Sequence, residues 1–194
     1  MEAAERCHRV GGLVARATLA GMFPVPAPSV DSQPGTGAFT ERTRMDQNHA
    51  GQIAALLNTR NQLVRNYDGK AILAARARFL FEVRDDQVVG CVEVKKVQWY
   101  QAEVNHLTVH KDYCRRGIAQ ALLAAATARA IQDRARILQC TIRGNNVEST
   151  GLFLKNGFVR TALFLYPDSG NNVGVYQKVI SPPKAAGLSA ATGS

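Results

Sequence analysis

The sequence predicts an α/β domain: a mixed sheet with helices on both faces, and three observations carry that expectation. Short apolar runs of strand character flank one long helical stretch; that stretch, near Ile118–Ile131, is a single crossover between two strands; and the ordered part closes on a strand pair. With 194 residues, 46% of them hydrophobic, the chain can bury one good core.

Residues 1–38 read as a disordered or linker-like extension. They are Ala/Gly-rich around Arg6, Arg9 and Arg16, then carry Pro24, Pro26, Pro28 and Pro34 with Gly35 and Gly37. Glu2 and Glu5 argue against an organelle transit peptide, and Arg16 interrupts any secretory apolar stretch. The domain is expected over residues 39–180, with a tail over 181–194.

Within the domain, Phe39–Met45 reads as a first strand. Asp46 can cap a helix whose apolar face is Ile53, Leu56, Leu57, Leu63 and Val64. A second helical stretch follows around Gly69–Arg78. Phe79–Arg84 and Val88–Val97 form a hairpin turning at Asp85-Asp86, and Ala102–Val109 is the next strand. The long helix shows Ile118, Ala121, Leu122, Ala125, Ala128 and Ile131 at helical spacing. Strand Ile137–Ile142, a short helix ending at Asn156-Gly157-Phe158, and the hairpin Thr161–Tyr166 with Val173–Ile180 complete the series.

Composition narrows the function classes. No uninterrupted apolar run approaches the ~20 residues of a membrane-spanning helix, so a soluble protein is expected. Cys7, Cys91, Cys114 and Cys140 show no metal-binding spacing, so no metal is expected. Cys91 and Cys140 read as buried hydrophobes of a reducing compartment, and the expected location is the cytoplasm. The net charge is +9, and since residues 1–42 hold four basic and four acidic residues, the excess belongs to the rest of the chain. A groove for a multiply charged anion accounts for part of it, and the absence of a basic run or basic-aromatic stripe disfavours nucleic acid.

The richest stretch is Val109-His110-Lys111-Asp112-Tyr113-Cys114-Arg115-Arg116-Gly117-Ile118-Ala119. It joins a strand to a long helix through a basic, glycine-bearing turn. A helix N-terminus presents unpaired N–H groups and a positive dipole end, which together hold an anion. Arg115 and Arg116 add two cations. A short basic turn with one glycine is weak by itself, because such junctions often need glycine for backbone geometry alone.

Cys114-Arg115-Arg116-Gly117-Ile118-Ala119 resembles the signature Gln/Arg-x-x-Gly-x-Gly/Ala of the GNAT superfamily of N-acetyltransferases, departing from it at Cys114. Arg143-Gly144-Asn145-Asn146, continuing to Leu152-Phe153-Leu154-Lys155-Asn156-Gly157-Phe158, is similar to the family's second cofactor segment. The resemblance runs in order over roughly residues 40 to 180. It implies a GNAT-type fold with acetyl-CoA as cosubstrate: pyrophosphate on the turn from Cys114 to Ala119, pantetheine beside Leu107, Thr108 and Val109, and Asn146 hydrogen-bonded to the pantetheine arm.

The reaction it implies is attack of a primary amine on the thioester, and an ammonium of pKa near ~10 must first lose a proton. Glu103, eleven residues before Cys114, stands where several members place a catalytic glutamate; its structural alternative is a pair with Lys95 or Lys96. His106 is the second candidate, as base or water-relay partner. It faces away from Glu103 in a regular strand, and a bulge of the kind the family carries here would change that facing. A backbone N–H within Leu107–Val109 would meet the oxyanion. Seven residues after Asn146, where the family often has a tyrosine to protonate the departing thiolate, this chain has Phe153, leaving Tyr166, Tyr176 or water as substitutes. Cys114 is either a tolerated small residue or a redox-sensitive gate. The acceptor stays open between protein N-termini, lysines and small amines, as does the oligomeric state. Two other classes compete: an acetyl-CoA-binding regulatory module without turnover, and a basic nucleic-acid or ribosome-associated binder.

Overall fold

The computed structural model describes residues 44–60 and 66–181. The linker-like extension, residues 39–43 of the expected first strand, Leu63, Val64 and the tail from residue 182 lie outside the described residues. Arg44 and Met45 form no strand, and Met45 is buried against the first helix.

That helix, α1 (Gln47–Arg60), begins where Asp46 accepts the His49 N–H at 2.8 Å. The cap satisfies one of the N–H groups that a helix start leaves unpaired. α1 buries Ala50, Ile53, Ala54, Leu56 and Leu57 on one stripe. The second helical stretch is shorter than the sequence predicts: α2 (Gly69–Ala74) gives way to a 3-10 turn over Arg76–Arg78.

β1 (Phe79–Arg84) and β2 (Gln87–Lys96) pair antiparallel through Asp85-Asp86. Both aspartates have positive φ, 48° and 60°, as a two-residue turn matched to strand twist requires. β3 (Gln101–Val109), α3 (Ile118–Gln132), β4 (Ile137–Arg143), α4 (Val147–Lys155), β5 (Val159–Leu165) and β6 (Asn172–Val179) follow. The sheet order is β1-β2-β3-β4-β6-β5, with β3 and β4 the parallel pair across the α3 crossover.

Two cores lie on opposite faces, so the mixed sheet with helices on both sides is the observed architecture. α3 and α4 cover Val89, Val92, Val94, Ala102, Val104, Leu138, Cys140 and Ile142. α1 and α2 cover Phe79, Val88 and Cys91. On α3 the buried stripe is Ile118, Leu122, Leu123, Ala126 and Ala130, whereas Ile131 is 49% exposed. The sequence pattern points to a stripe rotated from this one, because alanines on several faces fit either and the bulk of Leu123 decides between them.

α3 rests directly on β2 at Gly90. A Cβ there would stand 2.9 Å from both Ile118 Cγ2 and Leu122 Cδ1, so the missing side chain sets how closely the helix start approaches the sheet. Gly90→Val should therefore lower stability by about 1–3 kcal/mol, the usual cost of overpacking, read as a lower midpoint in thermal or urea unfolding. An unchanged midpoint would show that α3 does not bear on this position.

Burial pushes the Cys91 thiol up to about 12, and burial with the nearby Glu103 charge does the same to Cys140. At pH 8 both should resist iodoacetamide until the chain unfolds, since the thiolate is the reactive form. Peptide mass spectrometry showing either alkylated in folded protein would contradict this packing.

Candidate active site

The site begins where β3 and β4 part. They pair in parallel only at Gln101↔Ile137, Ala102↔Leu138 and Glu103↔Gln139. Beyond Glu103, β3 continues against β2 to Val109, while β4 continues against β6 to Arg143. A wedge opens between two strand edges whose peptide groups need partners.

Below the wedge the strands are held together by glutamines. Gln139 Oε1 accepts from Gln101 Nε2 at 2.8 Å and from Gln177 Nε2 at 2.7 Å, linking β3, β4 and β6 side by side. Above it, β3 is bulged: His106 has φ 55°, and the β2–β3 register shifts between Cys91↔Thr108 and Glu93↔Asn105. A non-glycine residue in the left-handed region costs roughly 1–2 kcal/mol, so surrounding contacts must hold it there.

The bulge decides where the histidine points. In a regular strand His106 would face the α3 side; with it, the imidazole lies among Tyr67, Phe79 and Glu93 on the α1–α2 side. Its Nδ1 is 3.4 Å from the Tyr67 hydroxyl and its Nε2 is 3.6 Å from Glu93 Oε2. Glu103 faces the same side, where its carboxylate accepts from Asn105 Nδ2 at 3.4 Å. Lys95 stands opposite Glu103 in the strand register. Glu103, at the closed end of the wedge, and His106, beyond it, thus lie on the same α1–α2 face of β3.

The basic, glycine-bearing turn stands at the other end of β3. Arg115 (φ 61°) and Gly117 (φ 79°) are both left-handed around Arg116, an alternation that turns successive N–H groups toward one point. Among the described residues, none accepts a hydrogen bond from the N–H groups of Arg115 to Ala119. Arg116 lies 5.0 Å above the Tyr113 ring, which fixes the guanidinium beside the turn. Cys114 has its N–H on the Lys111 carbonyl (3.4 Å) and its thiol on the His110 carbonyl (3.5 Å), so it braces the turn from behind. Its backbone N–H is engaged, and the open donors start at Arg115.

Leu107 and Val109 pack against the α3-side core, so Leu107-Thr108-Val109 presents the β3 edge beside the turn. Asn146 is the N-cap of α4, its Oδ1 accepting the Ser149 N–H at 3.0 Å, which leaves its exposed amide nitrogen to donate. α4 is tied to the start of α3 by reciprocal bonds between Gln120 and Asn156, at 2.7 and 2.9 Å. Phe153 is 4% exposed and packs edge-on against Phe158, ring centroids 4.9 Å apart. Of the two tyrosines, Tyr176 is buried over Gly174 and Tyr166 is exposed just past the end of β5.

Sequence reasoning passed over Glu93, Arg78 and Tyr67. Glu93 is the buried charged residue of the described core, at 6% exposure, and pairs with Arg78 Nε at 3.0 Å. Its only sequence signal is an acidic residue inside an otherwise apolar strand run. Nowhere among the described residues do three or more His, Cys, Asp or Glu side chains group as metal ligands, and no helix there is long and apolar enough to cross a membrane.

The donor set suits acetyl-CoA. Open N–H groups and two arginines meet a pyrophosphate, and a strand edge paired on one side meets an amide-bearing arm.

Comparison with known proteins agrees with this layout. Residues 44–158 match the model of the acetyltransferase (GNAT) family. No curated protein matches the chain. Among solved structures, yncA of Salmonella typhimurium, determined with its cofactor acetyl-CoA, has a TM-score of 0.64 at 18% identity, covering 73% of this chain and 94% of that one. A ribosomal-protein-alanine N-acetyltransferase from Brucella melitensis gives 0.62 at 20% identity, covering 70% and 96%. Ard1 of Thermoplasma volcanium gives 0.59 at 21%, covering 69% and 94%. These likenesses are of fold alone; it is the family match, over residues 44–158 of 194, that makes this chain a member of the GNAT family of acetyltransferases.

Proposed function

We propose that the protein transfers the acetyl group of acetyl-CoA to a primary amine, a protein N-terminus, a lysine or a small-molecule amine, by direct base-assisted attack. The observation that carries this reading is the wedge itself: β3 leaves β4 at Glu103 and leads, past the His106 bulge, to the basic turn before α3. In this reading Arg115 to Ala119 hold the pyrophosphate, Leu107–Val109 and the Asn146 amide meet the pantetheine arm, and Glu103 and His106 face the incoming amine from the α1–α2 side of β3. The Brucella structure with which the fold is shared is named for acting on a ribosomal-protein alanine, which supports a protein amine as acceptor. Buried, unpaired Cys91 and Cys140 favour a reducing compartment such as the cytoplasm.

Phe153 supports a second reading, an acetyl-CoA-binding module without turnover, because no phenol stands at that position. A thiolate leaving group of pKa near ~8.5 departs without an acid near neutral pH, so we favour the enzyme. A screen of peptides, polyamines, amino acids and aminoglycosides with free-thiol detection separates the two. Thiol release with at least one amine is expected; tight acetyl-CoA binding without release from any would favour the module.

For the turn, Gly117→Val should weaken acetyl-CoA binding at least tenfold by calorimetry. The new Cβ meets open space within the protein, so the loss would come from the strained φ and from crowding of the anion. Arg116→Ala should cost about 1 kcal/mol, near fivefold, as one exposed cation beside a helix start. Unchanged affinity in both would remove the turn from the site.

For the α1–α2 side of β3, Glu103→Gln should slow turnover by about tenfold or more near neutral pH if its carboxylate steers or deprotonates the amine. The loss should shrink at high pH, where the amine is already neutral. Full activity in this variant, with none in His106→Ala, would leave the histidine alone as base.

A further inference from the structure

We propose that Glu93 is a positioning residue that fixes the His106 imidazole as the proton acceptor for the incoming amine, with Tyr67 at its outer nitrogen. This rests on the acetyltransferase reading above and names which group takes the proton.

A buried carboxylate pays a desolvation penalty of several kcal/mol unless charged partners surround it. Glu93 has two. Arg78 reaches in from the 3-10 turn to Oε1 at 3.0 Å, and His106 Nε2 lies 3.6 Å from Oε2. The Arg78 pair alone would neutralise the carboxylate, so the second oxygen is available to orient the ring. The ring is there because β3 adopts a left-handed residue at His106. Further contacts keep it in place: Phe79 stacks parallel to it at 6.5 Å, Tyr67 meets it edge-on at 5.0 Å, and the Cys91 thiol reaches the His106 carbonyl at 3.8 Å.

A carboxylate on one ring nitrogen selects the tautomer that carries its proton there. With Nε2–H directed at Glu93, Nδ1 keeps its lone pair and faces the Tyr67 hydroxyl. Tyr67 is anchored by its backbone, whose N–H and carbonyl both bond the Asn58 side chain, at 2.7 and 3.0 Å. Glu93, itself held by Arg78, thus meets one ring nitrogen of His106 and Tyr67 meets the other. Glu103 and Asn105 lie on its own strand, where they bond each other.

The proton balance is simple. The ammonium gives one proton to Nδ1, directly or through the Tyr67 hydroxyl, which passes on its own proton as it receives one. The freed nitrogen lone pair forms the N–C bond to the acetyl carbonyl, the C–S bond breaks with its electron pair on sulfur, and the second amine proton ends on that thiolate.

The test uses the full-length chain and needs no turnover for its first reading. Long-range nitrogen–proton NMR of the unliganded protein should show His106 as the Nε2–H tautomer, and Glu93→Gln should populate both tautomers. In steady-state kinetics, Glu93→Gln should lower kcat more than tenfold with acetyl-CoA affinity kept, as expected when a group that orients the base is lost. Tyr67→Phe should lower kcat with acetyl-CoA affinity kept. An Nδ1–H tautomer in the wild type overturns the proposal whether or not the variants fold. So does a Glu93→Gln enzyme whose kcat and His106 tautomer match the wild type. A wild type with the expected tautomer that acetylates no amine overturns the acetyltransferase reading instead, and the base role with it.

Discussion

The rest of the site depends on the shortness of the parallel pairing between β3 and β4. Three residues pair, the Gln101–Gln139–Gln177 ladder clamps them, and then the two strands separate. Strand edges left open inside a protein are costly, because each unpaired peptide group forgoes a hydrogen bond worth about 1 kcal/mol net and more if buried. An extended ligand with amides of its own can supply those bonds. The wedge is thus an unfinished piece of sheet that a pantetheine arm could complete.

Two devices keep it open. The left-handed His106 kinks β3 just past the clamp, and Gly90 lets the start of α3 settle against β2 so that the turn at Arg115–Gly117 meets the wedge at its far end. The same bulge that bends the strand also carries the imidazole to the α1–α2 face. In the proposed reaction, geometry for binding and geometry for proton transfer would come from one residue's backbone. That explains how a strained residue and a buried carboxylate persist in a domain that could otherwise fill both places with apolar side chains.

Much of this was legible in the sequence, for reasons that differ by element. Asp46, Asp85-Asp86 and Gly117 are local signals, each set by cap or turn chemistry within a few residues, and each stands where the pattern puts it. The turn after Val109 was visible because glycine, arginines and an apolar helix stripe occur together. The length of the β3–β4 pairing was not, since it depends on residues 36 positions apart and on where a bulge interrupts one strand. The direction of His106 follows from that bulge, and the importance of Glu93 follows from His106. Phe153 looked like a vacancy in the chemistry, and the packing supplies its positive reason: it fills the space against Phe158 beneath α4. The face of α3 could not be read from alanines that serve equally well on either side.

The central claim, that the wedge and the turn together form one acetyl-CoA site, is tested most directly by hydrogen–deuterium exchange with and without acetyl-CoA. Slowed exchange in peptides covering Leu107–Val109 and Arg115–Ala119, together with the Asn146 segment, is the predicted result. Protection confined to the β5–β6 hairpin or to α1, or no protection under conditions where binding is saturated, would contradict it.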